Sequence, residues 1–393
     1  MKEQFAGVTR IIVSTCLCVF LGFVAVVTCA AAAEPIRIGH VCSITGWAGM
    51  LGSPQRDAML AMVEDINGKG GLLGRQIEVF IEDDQSNPTT AVPAATKLVR
   101  DLKVNLLVAA TLSDCAMSIM PVAEQEQVPY IVTSPVVIPF KKWVFPVGPG
   151  DIKMAARTLE LAVTTLGAKH IALLRDTALY GMQGAKNLKN EIRRYPGVSF
   201  VLEETFDVKD TSMVPQLTKI KAADPDLMII YSTGAVCAII AKNYKQLGMK
   251  TPVLGAGGVS APDFVKVGGA IAEECKWIIS TLKISVAASL PPNDEYRRTV
   301  YEPQKSIFQN KYGKDKDINL FHVSPMDAVT MAVLAMKAGN SDNRTAVRDA
   351  LEKVRFEGLL GSVAPGPADH QEGAKDTPVL CVLKDGAFVP YTK

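Results

Sequence analysis

The feature that most constrains this chain is a repeated grammar. From Ile36 onward, short β-rich runs alternate with longer segments whose apolar residues recur at helical spacing. Such alternation builds strand–helix–strand units, in which a parallel sheet carries helices on its faces. Ile36-Arg37-Ile38-Gly39 starts a strand, Thr45-Gly46 breaks it, and Ser53-Pro54 reads as an N-cap followed by a first-turn proline. Met59, Leu60, Met62, Val63 and Ile66 then share one helical face, which Asn67-Gly68 and Gly70-Gly71 end. The pattern predicts further strands at Gln76–Ile81, Val104–Ala109 and Tyr130–Thr133, with Ser113 or Asp114 capping a helix between the last two. Four such steps complete one lobe, and the proline- and glycine-rich stretch Phe145–Gly150 is the first crossing to another.

Beyond Asp151 a helix to Thr165 leads into strands at His170–Leu174, Phe200–Phe206, Asp226–Tyr231, Pro252–Leu254 and Trp277–Ser280, a second lobe. The helical segments Asp294–Tyr312, Pro325–Ala338 and Asn343–Val354 have no strands between them and are expected to cover the first lobe. Leu380–Leu383 and Phe388–Tyr391 read as a hairpin through Asp385-Gly386. The expected organisation is a leader over 1–33, a first lobe from 34–149 and 282–360, and a second from 150–281 and 361–393. The fold class is α/β, two lobes with mostly parallel sheets flanked by helices.

The leader is read from Lys2 and Arg10, an apolar run from Ile11 to about Val27, and small residues ending at Ala33, the pattern of a cleaved secretory signal. Export to the periplasm follows. Two other readings stand beside it: a retained anchor helix over Ile11–Ala33, long enough to span a bilayer, and lipidation of Cys29. Removing Lys2, Arg10 and Glu3 from 42 basic and 40 acidic groups leaves 40 against 39, a balance that gives nucleic acid no electrostatic footing. Outside the leader, Cys42, Cys115, Cys237, Cys275 and Cys381 are an odd, widely spaced set without a CxxC, and are read chiefly as buried free thiols.

The four histidines, His40, His170, His322 and His370, lie far apart, so no metal-ligand spacing arises. Neither a GxSxG elbow nor a GxxxxGK[ST] loop occurs, and Ser260 stands where a dinucleotide fingerprint begun at Gly255 and Gly257 needs its third glycine. No enzyme, cofactor or metal is expected. What remains is polar and aromatic residues at the carboxyl ends of predicted strands, where open α/β sheets form ligand crevices. Ser113 offers a hydroxyl beside helix N-terminal amides, Tyr180 precedes Gly181 on a loop, and Trp47 sits among glycines in the first loop. A cap, surface packing and core anchoring are the respective structural alternatives.

IRIGHVCSITGWAGMLG and DINGKGGLLGRQIEVFIEDDQSNP, followed by VPYIVTSP, LLRDTALYG and LGAGGVS, resemble periplasmic binding proteins of the leucine/isoleucine/valine-binding type. The resemblance implies two Rossmann-like lobes joined by a three-stranded hinge (the type I periplasmic binding protein), a cleft that closes on a small molecule, and delivery by a monomer to an ABC importer's permease. It implies that Ser113 holds a ligand carboxylate, that Tyr180 and Thr233 line the pocket, and that Ser134 and Val136 contribute after VTSP. Gly257 stands where the leucine-binding members carry the acidic partner of an ammonium group, Leu51 where a tyrosine is expected, and Ser86 where a bridging cysteine is expected. The ligand expected is a small, largely apolar carboxylate, with aromatic or aliphatic acids fitting Gly257 better than branched-chain amino acids. A ligand-sensing receptor or an amide- or urea-binding protein of the same fold are the alternatives.

Overall fold

A computed structural model describes residues 34–371 and 378–392. The leader, with Lys2, Arg10, Cys29 and Ala33, lies outside the described residues.

In the first lobe, β1 (Ile36–Cys42), β2 (Ile77–Asp83), β3 (Leu106–Ala109), β4 (Tyr130–Val132) and β5 (Val144–Pro146) form a parallel sheet in the order β2-β1-β3-β4-β5. Alternation along β1 sends Ile36 and Ile38 to one face and Val41 to the other. The first face packs on α1 (Gly49–Gly68), the second on α2 (Pro88–Thr96) and α3 (Ser113–Gln125).

The second lobe contains α4 (Asp151–Glu160), β6 (His170–Asp176), α5 (Leu179–Glu191), β7 (Ser199–Phe206), α6 (Val214–Ala223), β8 (Leu227–Tyr231), α7 (Val236–Gln246), β9 (Val253–Gly255), α8 (Pro262–Glu274) and β10 (Ile278–Thr281). The chain then returns to the first lobe through α9 (Glu302–Tyr312), α10 (Leu320–Gly339) and α11 (Arg344–Leu351), whose buried residues join the cluster around Ile36, Ile38 and Met59. A small antiparallel pair, β11 (Phe356–Gly358) and β12 (Gly361–Val363), precedes the last crossing. The hairpin of β13 (Val379–Lys384) and β14 (Ala387–Pro390) then completes the second sheet in the order β14-β13-β10-β9-β8-β6-β7. Only the β13 pairings are antiparallel there.

Three local expectations change. The first helix begins at Gly49, not at Ser53-Pro54, because Gly46 at φ +81° turns the chain so that the Gly49 amide already donates to its carbonyl at 3.2 Å. Pro54 therefore lies inside α1, where its missing N–H costs one helical bond. Neither Ser113 nor Asp114 caps α3: Leu112 holds that position, without a side-chain cap. Val144–Pro146 is a fifth strand rather than the start of a crossing, with its proline on the edge of the sheet, where a missing donor is tolerated.

The loop after β1 is pinned by hydrogen bonds. Asp83 accepts from the Ile44 and Thr45 amides at 2.9 and 3.2 Å and from the Thr45 hydroxyl at 2.6 Å. Burial pushes its carboxyl up, but those bonds, with one from the Gln85 amide, outweigh it and hold it below the ordinary range. Ser86 Oγ donates to the Thr45 carbonyl at 2.8 Å and accepts from the Ala48 amide at 3.0 Å. Gly46 must be glycine here, since a Cβ would stand 2.5 Å from the Gln85 carbonyl oxygen. None of Cys42, Cys115, Cys237, Cys275 and Cys381 is joined in a disulfide, and of these five only Cys275 is not fully buried.

Candidate functional site

The strand ends of both sheets converge on one cavity holding about 880 Å³ of space, open mouth included. From the first lobe come Leu51 and Gln55 of α1, Thr111 to Ser113 after β3, Thr133 and Pro135 after β4, and Val147 after β5. The second lobe adds Asp151 and Met154 of α4, Tyr180 of α5, Thr233 after β8, and Gly257 and Gly258 after β9. The returning segments close it with Leu282, with Phe321 and Ser324 of α10, and with Leu360 between β11 and β12.

The lobes stand closed across this cavity. Leu179 from the second lobe packs on the first-lobe core, and Ala261 is fully buried in it. The Leu179 amide donates to Asp114 Oδ2 at 3.2 Å, and the Val137 amide to Gln183 Oε1 at 3.1 Å. All four residues lie on segments that meet only when the lobes approach.

Most polar atoms around the cavity are already engaged. Thr111 Oγ1 donates to Gln55 Oε1 at 2.7 Å and accepts from the Ser43 amide, Thr133 Oγ1 donates to the Ala110 carbonyl, and Thr233 Oγ1 donates to the Gly258 carbonyl at 3.2 Å. Ser113 differs. It is the first residue of α3, 4% exposed, and its hydroxyl neither caps the helix nor meets another partner among the described residues. A hydroxyl and the unpaired amides of a helix start together suit a carboxylate.

The opposite wall is a stack of hydroxyl and carboxylate groups. The Tyr180 and Tyr231 rings lie 4.9 Å apart, the Gly258 amide donates to Tyr180 Oη at 3.4 Å, and the Tyr231 hydroxyl makes a short bond to Asp151. Asn187 Nδ2 donates to the other Asp151 oxygen at 2.9 Å. Burial raises the Asp151 carboxyl to about 6, although both bonds pull it down, and burial likewise raises the Tyr180 hydroxyl. Gly257 is not demanded by packing, since a Cβ would meet only Met154 Cε at 3.5 Å and the Ser280 carbonyl at 3.8 Å. Its missing side chain leaves that space to the cavity.

Of the residues singled out from the sequence, Ser113, Tyr180, Thr233 and Gly257 line the cavity; Trp47, Ser134 and Val136 do not. Trp47 packs half-buried against the first-lobe core, held there by the pinned loop. Ser134 and Val136 are buried with 3% and 1% exposure, while their neighbours Thr133 and Pro135 face the cavity, so the side chains alternate out of the site. Sequence reasoning missed Gln55, Thr111 and Asp151. An aspartate opening a helix reads as an ordinary first-turn acid, and no sequence signal marked it.

A family described as periplasmic binding protein matches residues 35–387 of the chain. The chain belongs to this family. The periplasmic binding protein described here is 24% identical over 353 residues to the leucine-, isoleucine-, valine-, threonine- and alanine-binding protein of Pseudomonas aeruginosa, covering 84% of this chain and 86% of that one. Among solved structures, an extracellular ligand-binding receptor from Rhodopseudomonas palustris HaA2 superposes with a TM-score of 0.82 at 25% identity, over 91% of this chain and all of that one. An ABC transporter solute-binding protein from R. palustris, in complex with benzoate, shares the fold with a TM-score of 0.77 at 19% identity, over 91% of this chain and 95% of that one. The α/β architecture of two sheet-centred lobes is thus the type I periplasmic binding fold. Among the described residues no group of three or more His, Cys, Asp or Glu side chains could hold a metal ion, and no helix is long and apolar enough to cross a membrane.

Proposed function

We propose that this protein captures a small, largely apolar, carboxylate-bearing molecule in the periplasm and hands it to the permease of an ABC importer. The observation that carries the reading is the Ser113 hydroxyl, buried and without a partner among the described residues at the start of α3, in the wall of a cavity whose remaining first-lobe surface is mainly aliphatic. Closure of the lobes over that cavity supports capture by enclosure, with Tyr180, Thr233 and Gly257 forming the second-lobe wall. The P. aeruginosa relative is named for amino acids and the R. palustris structure for benzoate, and a carboxylate is common to both. The apolar run from Ile11 to about Val27 supports export, and the division into lobes at about residues 149, 281 and 360 follows the three crossings.

The test is a thermal-shift panel of amino acids, aromatic acids and their amides. A ligand at a thousand times its Kd adds about 4 kcal/mol of stability. Shifts with carboxylates and none with the matched amides are expected. An amide that works as well as its acid, or a panel without any shift among the carboxylates, overturns the reading.

A further inference from the structure

The charges around the cavity are one-sided. Of the described residues that line it, Asp151 alone carries a formal charge, and none of them is a lysine, arginine or histidine. Asp151 opens α4 and is 1% exposed. Its oxygens each accept one hydrogen bond, from the Tyr231 hydroxyl and from Asn187 Nδ2, whereas a carboxylate offers about four acceptor positions. The ionisable groups facing it are Tyr231 on β8 and Tyr180 at the start of α5, with Asp176 at the end of β6 behind Tyr180. None is a cation. Of the basic residues of the packed elements, Lys153 on α4 and Lys186 and Lys189 on α5 are exposed at the surface, Arg157 on α4 is half-buried and pairs with Glu160 at 2.8 Å, and Arg175 acts on Asp176 rather than on Asp151.

A simple acid enclosed here puts a second negative charge near the first, with only neutral donors to meet both. Two carboxylates sharing a site of low dielectric constant retain a proton between them. A ligand that brings its own cationic or hydrogen-bond-donating group removes the conflict, because that group fills the unused acceptor positions of Asp151.

We infer that Asp151 is the specificity-determining residue of the cavity: it selects acids that carry a second, donor-bearing group, and an acid without one enters only as a proton from solvent binds Asp151. The inference rests on the carboxylate-capture reading and deepens it. Gly257 vacates one position for a carboxylate, yet the cavity keeps another, supplied from the start of α4.

Leucine and 4-methylpentanoate differ only in the ammonium group and form the test pair, titrated calorimetrically at pH 6 and pH 8. With Asp151 near 6 in the free protein, the affinity for 4-methylpentanoate should fall about 50-fold between those values, because half of the sites carry the proton at pH 6 and about one in a hundred at pH 8. Leucine, which needs the ionised carboxylate, should instead gain about twofold over the same interval. Paired titrations in buffers of different ionisation enthalpy should register uptake of about one proton per 4-methylpentanoate at pH 8 and none for leucine. Asp151→Asn should weaken leucine and remove the pH dependence of the acid, and the proton count on the unaltered protein stands even if that variant does not fold. Binding of 4-methylpentanoate at equal affinity at both pH values, without proton uptake, overturns the inference and leaves carboxylate capture standing. Failure of both probes, and of phenylalanine and benzoate beside them, overturns both.

Discussion

Gly184 is where helix packing and the cavity wall depend on each other most directly. It lies on α5 above β8, and a Cβ built on it would stand 2.1, 2.3 and 2.4 Å from Cε1, Cδ1 and Cζ of Tyr231. Those contacts are more than an ångström inside ordinary van der Waals separation, so Gly184→Ala cannot be absorbed in place. The ring is 1% exposed and its hydroxyl is tied to Asp151, which leaves two ways out. Either α5 lifts from the sheet, at about 1–3 kcal/mol for overpacking, or the ring swings away and Asp151 loses a hydrogen bond to a charged group, about 1.5–3 kcal/mol. The cheaper route sets the loss, at about 1–3 kcal/mol, beyond the roughly 0.5 kcal/mol of an ordinary surface change. Urea unfolding followed by far-UV circular dichroism measures it as a lower midpoint at unchanged slope. Gly269→Ala on α8 is the matched control, because its Cβ would meet nothing nearer than Leu383 Cδ1 at 3.5 Å. Replacing glycine inside a helix there should stabilise by about 0.5–1 kcal/mol. A loss below about 1 kcal/mol for Gly184→Ala would refute the claim that Tyr231 is locked between α5 and Asp151.

Ser113→Ala should weaken a bound carboxylate probe by about 10- to 100-fold, the worth of one hydrogen bond to a charged group, while the urea midpoint stays unchanged because the hydroxyl caps nothing; isothermal titration reads the first and unfolding the second. Asp114→Ala removes the acceptor of the Leu179 amide between the lobes and should weaken every ligand by a similar factor, about 3- to 10-fold, whatever its chemistry. Asp327, fully buried in α10, accepts from the Leu359 and Leu360 amides at 2.9 and 2.8 Å, yet burial raises its carboxyl to about 7. Its folded value lies above its unfolded one, so the native state holds the extra proton and this group's contribution to stability falls as pH rises from about 4 to 7; Asp327→Asn should lose that slope in unfolding curves taken across the interval.

The alternation of strands and helices was legible because its periods, two and about 3.6, are imposed by burial on one face and survive in any single sequence. β5 escaped notice because three residues ending in proline carry no period, and its identity comes from pairing with β4. The helix start was misplaced because Ser-Pro is a local signal, whereas the turn that launches α1 depends on Gly46 meeting the distant Gln85–Ser86 segment. In the cavity, Ser113, Tyr180, Thr233 and Gly257 could be reached from the strand ends. Which way a side chain points in an extended segment could not, and a one-residue slip exchanged Thr133 and Pro135 for Ser134 and Val136. Phe321, Ser324 and Leu360 arrive from the returning chain, at sequence separations where no local pattern operates.

The clamp on the first loop bears on redox chemistry. Ser86 and Asp83 hold Thr45 to Ala48 by hydrogen bonds alone, and the five described thiols form no disulfide. Burial raises Cys42, Cys115 and Cys381 far above their ordinary range, which keeps them protonated and poor nucleophiles. Reaching the described structure therefore waits on no oxidant, and a reductant finds no covalent link in it to break. The same conformation is open to this chain on either side of a membrane that separates reducing from oxidising surroundings.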